Sequence, residues 1–342
     1  MKILITGGCG FVGSNIAFFL KKKLKKSKIF TLDNLSRAGS KINAKRLKNI
    51  DILNYKIDIT EREKILRLRK FDLVIDCCAE PAIEASRYDP DRVFNTNLIG
   101  TYNILKKCLL DKSNLIFLSS SRVYSINHLK KLIKNINLRK PIKKITKVKE
   151  NFITSDASSI YGFTKLASEK LIREMFYKTD LKYIINRFGV IAGPWQFGKE
   201  DQGFVPLWVA KHFLKKKLNY IGFGGRGHQI RDVLHIEDVC DIILIQIKRL
   251  NKINNDTFNV GGGIQSYTSL SNLTLLCQKI TGQKIFIGSK AKTSVFDVPI
   301  YVSDNSKLFK TYNWKPTRSM KKIVEDIFFW IYNNNSVWRY FK

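Results

Sequence analysis

Apolar and polar positions along this chain follow two periods in turn. Lys2-Ile3-Leu4-Ile5-Thr6 is a short, nearly continuous apolar run, as a strand covered on both faces requires. A glycine-rich turn follows, and Ile16, Ala17, Phe18, Phe19 and Leu20 then open a helical stretch. The alternation repeats, with strands expected over residues 28–32, 53–57, 73–77 and 114–118 and helical patterns between them. The longest of these helical patterns contains Asn97, Gly100, Thr101 and Leu105. A further amphipathic helix starts near Tyr161, and a sixth strand covers residues 182–186. Strands alternating with helices at this rhythm predict an α/β fold built on a doubly wound parallel sheet.

Past residue 188 the pattern is less regular. Residues 222–231 are glycine-rich and basic, residues 235–250 read as an apolar helix returning to the first domain, and Phe258-Asn259-Val260-Gly261 reads as a strand. A last helix is expected around residues 323–331. The division expected is one domain from residues 1–188 and 232–262, and a smaller lobe from 189–231 and 263–342. Residues 125–157 form a lysine-rich insertion, either a solvated loop or a wall over a substrate.

Composition changes this picture little. The chain has 342 residues and a 44% apolar share, enough for a sizeable core. No apolar run reaches a membrane span, and Met1-Lys2 leads straight into the first strand without a signal-peptide layout, so a cytoplasmic location is expected. The six cysteines include no C-x-x-C pair and read as reduced; the four histidines are scattered, and no metal is expected. The formal charge of +33 leaves two readings: an anionic partner such as nucleic acid, or compositional drift towards Lys, Asn and Ile. The lysines are dispersed rather than gathered around aromatics, which favours drift.

Candidate chemistry collects at the strand ends. In Gly7-Gly8-Cys9-Gly10-Phe11-Val12-Gly13 the glycines at 7, 10 and 13 allow a tight turn, close approach of backbone to a pyrophosphate, and close packing of helix on strand. The second strand ends at Asp33, followed by Asn34, the distance at which an acid accepts hydrogen bonds from an adenosine ribose. A carboxylate there repels a 2′-phosphate, so NAD is expected rather than NADP, although Arg37 is close by. Asp58-Ile59 is placed to meet the adenine, and Cys78-Ala79-Glu80 and Ser119-Ser120-Ser121 end the fourth and fifth strands. Ligands of doubly wound sheets bind at such ends, so a Rossmann-type sheet carrying NAD is expected. Tyr161 and Lys165 are four apart on one helix face. A free phenol has a pKa near ~10, and a neighbouring ammonium favours the phenolate that a base at neutral pH requires.

Taken together, the glycine turn, Asp33, Asp58-Ile59, the serine triplet before Val123-Tyr124 and Y-x-x-x-K resemble the extended short-chain dehydrogenase/reductase superfamily, NAD-dependent epimerase/dehydratase family. The resemblance spans nearly the whole chain. It implies that Ser120, Tyr161 and Lys165 are catalytic, that Asn97 supports the catalytic centre and the cofactor, and that Gln229 and Arg231 lie near a sugar-nucleotide diphosphate, with Glu80 and Gln202 also on the substrate side. It implies a smaller α/β lobe that binds a nucleotide sugar, and a homodimer through helices around residues 91–110 and 160–177. The 4,6-dehydratases of the family need an acid pair after the catalytic hydroxyl; Ser121 and Arg122 stand there, so epimerisation through a transient keto-sugar is expected. Asp33-Asn34-Leu35-Ser36-Arg37, Trp195-Gln196-Phe197 and Asp201-Gln202-Gly203 resemble the CDP-paratose 2-epimerase (tyvelose epimerase) branch, which implies a CDP-sugar substrate and a place in polysaccharide biosynthesis. The chain departs from the family at Val190, where an Asn or Ser is common, and at Ser294, where an Arg is common and Lys292 stands near. A 4-epimerase or reductase on another nucleotide sugar, and a non-catalytic dinucleotide-fold protein holding nucleic acid or another anion, remain as alternatives.

Overall fold

The computed structural model describes residues 1–81, 85–132, 145–156, 159–199 and 202–341. Its strands are, in chain order, β1 (Lys2–Thr6), β2 (Lys28–Leu32), β3 (Leu53–Tyr55), β4 (Leu73–Asp76), β5 (Asn114–Ser120), β6 (Tyr183–Phe188), β7 (Val190–Ala192), β8 (Leu218–Ile221), β9 (Ile230–His235), β10 (Asp256–Val260), β11 (Tyr267–Ser269), β12 (Ile287–Lys290) and β13 (Ile300–Tyr301). Seven of them form the main sheet in the order β10-β6-β5-β4-β1-β2-β3. The pairings of β1 with β2 and β4, of β2 with β3 and of β4 with β5 are parallel, as the alternating pattern requires. The order reverses at β1, so the carboxyl ends of β1 and β4 flank the switch point where such sheets take their ligands. Leu4, Val74, Leu115 and Phe117 from the strands pack with Ile104, Leu105, Ile172 and Phe176 from the helices to form one core.

The chain folds into two compact units. The first is Met1–Val123 with Ser159–Arg187 and Val239–Phe258; the second is Tyr124–Ser158 with Phe188–Asp238 and Asn259–Lys342. The expected division had placed residues 124–158, 188, 232–238 and 259–262 with the sheet domain; the described residues among these belong to the second unit. Backbone pairing explains the difference. Val148 donates to Val302 O at 2.8 Å and accepts from Asp304 N at 2.8 Å, which ties the end of the insertion to the second unit. β9, which runs through residue 235, is paired by β7, β11 and β13.

In the second unit the helices Phe204–Phe213, Leu270–Thr281 and Met320–Tyr332 surround a core of Trp208, Leu273, Ile323, Ile327 and Trp330. The insertion begins with a short helix, Ile126–Lys131, capped by Ser125. Residues 133–144, the middle of the expected wall, and Asp201 lie outside the described residues.

Candidate functional site

The turn after β1 is built by glycine for steric reasons. Gly7 has φ +58°, and a Cβ there would lie 2.9 Å from Cys78 Cα, so the turn rests against the end of β4. A Cβ on Gly13 would lie 2.4 Å from Gly7 O, which forces the helix Phe11–Lys23 to start hard against the turn. Gly10 is the N-cap of that helix; it donates to Gly7 O at 3.0 Å and offers no side-chain cap, and the first turn carries no acid. Gly10, Phe11, Val12 and Gly13 therefore form an uncapped, acid-free helix N-terminus that suits a pyrophosphate. Cys9 is buried, and burial first and Asp33 second push its thiol up to about 12, which makes it an inert neighbour.

Asp33 follows β2, with Oδ2 accepting from Cys9 N at 3.0 Å and Oδ1 from Leu35 N at 2.8 Å. Burial raises its pKa above the usual carboxylate value, and these backbone bonds oppose the shift. Asn34 Nδ2 donates to Asp58 Oδ2 at 2.6 Å, and Thr60 Oγ1 donates to Asp58 Oδ1 at 2.7 Å. Burial acts to raise the Asp58 pKa, but the bonds from Thr60 and Asn34 prevail and hold it below the usual value. Ile59 is 3% exposed and belongs to the core, where a side chain at Gly100 would strike it. Cys77, Cys78 and Ala79 are half-buried at the end of β4, and the cysteines are free.

The helix Ile160–Phe176 starts at Ser159, whose Oγ accepts from Gly162 N at 3.1 Å. Tyr161 is 9% exposed and Lys165 2% exposed, on the helix's buried face. Lys165 Nζ donates to Leu118 O at 2.9 Å and lies 4.5 Å from the Phe117 ring centroid, so β5 fixes the ammonium. Ser120 ends β5, and its Oγ accepts from Arg122 N at 3.1 Å. A Cβ on Gly162 would lie 2.3 Å from Arg122 O, so the helix Ile160–Phe176 presses directly on the turn after Ser120. Burial and then Asp76 push the Cys77 and Cys78 thiols up, and the charge of Lys165 opposes that at both. Within the first unit the glycine turn rests on the end of β4, and the helix that carries Tyr161 and Lys165 packs on the end of β5, which carries Ser120.

Asn97 sits in a π-helical turn, Asn95–Ile99, of the kind that re-aims a side chain at a functional site. Its Oδ1 accepts from Glu80 N at 2.7 Å, while Nδ2 donates to Glu80 O at 3.2 Å and to Thr164 Oγ1 at 3.3 Å. It therefore ties the loop after β4 to the helix Ile160–Phe176. Glu80 itself, expected on the substrate side, pairs through Oε1 with Arg37 and through Oε2 with Arg92. In the second unit, Arg231 donates to Asp297 Oδ1 at 2.7 Å and Gln229 Nε2 to Ile221 O at 3.0 Å, while Gln202 N bonds Lys199 O at 3.2 Å. Burial lowers the Arg231 pKa, against the pull of Asp297.

One network was not anticipated from the sequence. Glu169 accepts from Ser119 Oγ at 2.6 Å and from Arg187 Nε and Nη2 at 2.9 and 2.6 Å, with Glu169 and Arg187 both buried. The available signal was an acid on the phase of Tyr161 and Lys165, four residues past Lys165, where the helix is otherwise buried. Removing one partner strands the other as a buried charge, so Glu169→Gln is expected to destabilise the protein by about 3 kcal/mol. Replacing both, as Glu169→Leu with Arg187→Met, is expected to cost less than that single change. Urea unfolding of the two variants checks the order; a double variant weaker than the single one would refute it.

Residues 3–261 match the family model described as NAD dependent epimerase/dehydratase family. Over 340 residues the chain is 29% identical to CDP-paratose 2-epimerase of Salmonella typhi, covering 96% of this chain and 99% of that protein. It is 27% identical to UDP-glucose 4-epimerase of Mycoplasma genitalium, over 95% of this chain and 94% of that one. Among solved structures, UDP-glucuronic acid 4-epimerase from Bacillus cereus, in complex with UDP-glucuronic acid and NAD, superposes with a TM-score of 0.82 at 24% identity, covering 97% of this chain and 99% of the other.

Proposed function

The chain belongs to the NAD dependent epimerase/dehydratase family, and from that premise we propose that it is a nucleotide-sugar epimerase that inverts a sugar carbon through a transient keto-sugar, with a CDP-sugar as substrate. The observation that carries the reading is the packing of the helix whose buried face holds Tyr161 and Lys165 on the end of the strand that carries Ser120, with Lys165 bonded to Leu118 O and Gly162 against Arg122 O. The turn at Gly7, Gly10 and Gly13 and the carboxylate of Asp33 fit NAD, whose nicotinamide supplies reversible hydride acceptance when bound. In this reading the phenolic oxygen of Tyr161 takes a proton from the sugar hydroxyl as that carbon is oxidised, and returns it to the same oxygen afterwards. Lys165, held by Leu118 O, keeps positive charge where a negative phenolic oxygen forms. Ser120 Oγ hydrogen-bonds the reacting oxygen. Gln229 and Arg231, with Gln202, are assigned to the nucleotide diphosphate, and Glu80 to a different task argued below. Ser121 and Arg122 place no carboxylate after Ser120, which supports epimerisation over elimination of water.

A second reading, 4-epimerisation of a UDP-sugar, draws support from the relative in Mycoplasma genitalium. Titrating the NAD-loaded protein with CDP-, UDP-, GDP- and dTDP-sugars separates them. Tightest binding and isomer formation with a CDP-sugar are expected; exclusive use of a UDP-sugar would replace the first reading with the second. The same preparation, sized by light scattering, is expected to be a dimer, proposed to pair through the helices around residues 91–110 and 160–177, where Phe94, Leu110 and Phe163 are exposed.

A further inference from the structure

Dinucleotide folds choose between NAD and NADP at the adenosine 2′ position, where an acid after the second strand excludes a phosphate and a nearby arginine attracts one. This chain carries both groups in one loop, Asp33 and, four residues on, Arg37. The loop by itself therefore sends opposed signals. Two salt bridges resolve them: Arg37 Nη1 donates to Glu80 Oε1 at 2.8 Å, across 43 residues of sequence, and Arg92 Nη2 lies 3.1 Å from Glu80 Oε2. The Glu80 side chain is 7% exposed against 41% for Arg37, so the acid is the fixed member of the pair and the arginine the movable one.

Glu80 is also fixed through its backbone. Asn97 accepts from its N–H at 2.7 Å and donates to its carbonyl at 3.2 Å, so the π-turn that carries Asn97 locks the position of the carboxylate. A buried carboxylate stripped of its partners is costly, which opposes the departure of Arg37 towards another anion. We propose that Glu80 is a determinant of dinucleotide choice: anchored by Asn97, it holds the Arg37 guanidinium away from a cofactor 2′-phosphate and leaves Asp33 to select NAD. Glu80 acts through Arg37 and takes no part in the chemistry on the sugar. The inference concerns dinucleotide binding alone and stands whichever nucleotide sugar the enzyme accepts.

The test is calorimetric titration of the full-length protein, freed of bound dinucleotide, with NAD+ and separately with NADP+, no sugar nucleotide being present. Glu80→Gln removes the carboxylate charge that faces the guanidinium while keeping the shape of the side chain. It is expected to tighten NADP+ binding by about tenfold, the worth of one half-exposed charge-assisted hydrogen bond, and to leave NAD+ within about twofold. Adding Arg37→Ala to Glu80→Gln is expected to return NADP+ to the wild-type affinity. A Glu80→Gln protein that binds NAD+ normally but gains nothing for NADP+ would overturn the proposal, as would a gain that survives Arg37→Ala. Arg37→Ala alone, in an exposed loop, covers the case in which Glu80→Gln fails to fold. It is expected to leave NADP+ within about twofold of wild type, because the arginine is already withdrawn. A several-fold loss of NADP+ affinity there would show Arg37 reaching the phosphate past Glu80, and the proposal would fail.

Discussion

Tyr161→Phe is expected to lower kcat by about a thousandfold while NAD stays bound, because positioned proton transfer contributes about 10²- to 10⁴-fold. The substitution removes one oxygen from a side chain that is 9% exposed and leaves the ring to fill the same space. The fold is therefore expected to persist, and the loss belongs to the chemistry rather than to packing. Lys165 keeps its bond to Leu118 O in that variant, so the ammonium stays in place while the proposed acid–base group is gone. Measuring isomer formation and the dinucleotide carried by the same preparation separates the two effects. Turnover within about tenfold of wild type would mean that the proton moves elsewhere, and the assignment of Tyr161 would be withdrawn.

Gly13→Val is expected to weaken NAD binding by about a hundredfold, the scale on which a displacement of about 1 Å is felt at a built site. A Cβ at residue 13 would lie 2.4 Å from Gly7 O and 2.8 Å from Gly8 Cα, and both are backbone atoms that cannot rotate away. The helix Phe11–Lys23 has to withdraw from the turn, and the N–H groups proposed to hold the pyrophosphate move with it. Gly10→Ala makes the matched control, since its Cβ meets Gly7 O at 3.1 Å, a distance relieved by a shift of a few tenths of an ångström. Fluorescence titration with NAD should show the two variants well separated. Equal affinities would mean that close helix–turn packing at residue 13 is not what forms the phosphate site.

Several features of the site were legible because they are written locally. The run from Lys2 to Thr6, the glycines at 7, 10 and 13, and the acid at 33 fall within one strand–turn–helix–strand unit, where spacing alone determines geometry. The alternation of short apolar runs with helical patterns gave the parallel sense of the sheet, because parallel strands need crossovers of that length, whereas the order of its strands came from the structure. Element ends were read less closely: β5 continues through Ser119 and Ser120, and the expected long helix over residues 91–110 is Pro90–Phe94, a π-turn and Gly100–Asp111. A π-turn leaves little mark on the apolar period, since it inserts a single residue into a helix that otherwise continues.

What the sequence determined by itself was therefore the sheet, the dinucleotide turn and the i,i+4 pairing of Tyr161 with Lys165, since each depends on residues close together in the chain and on backbone sterics or helical phase. The tertiary structure alone decided which charges meet. It gave Arg37 and Arg92 to Glu80, Arg187 to Glu169, and Asp297 to Arg231, and it moved residues 124–158 into the second unit. In a chain with 61 basic and 28 acidic residues, many pairings satisfy the same charges, and only the folded path of the backbone selects among them.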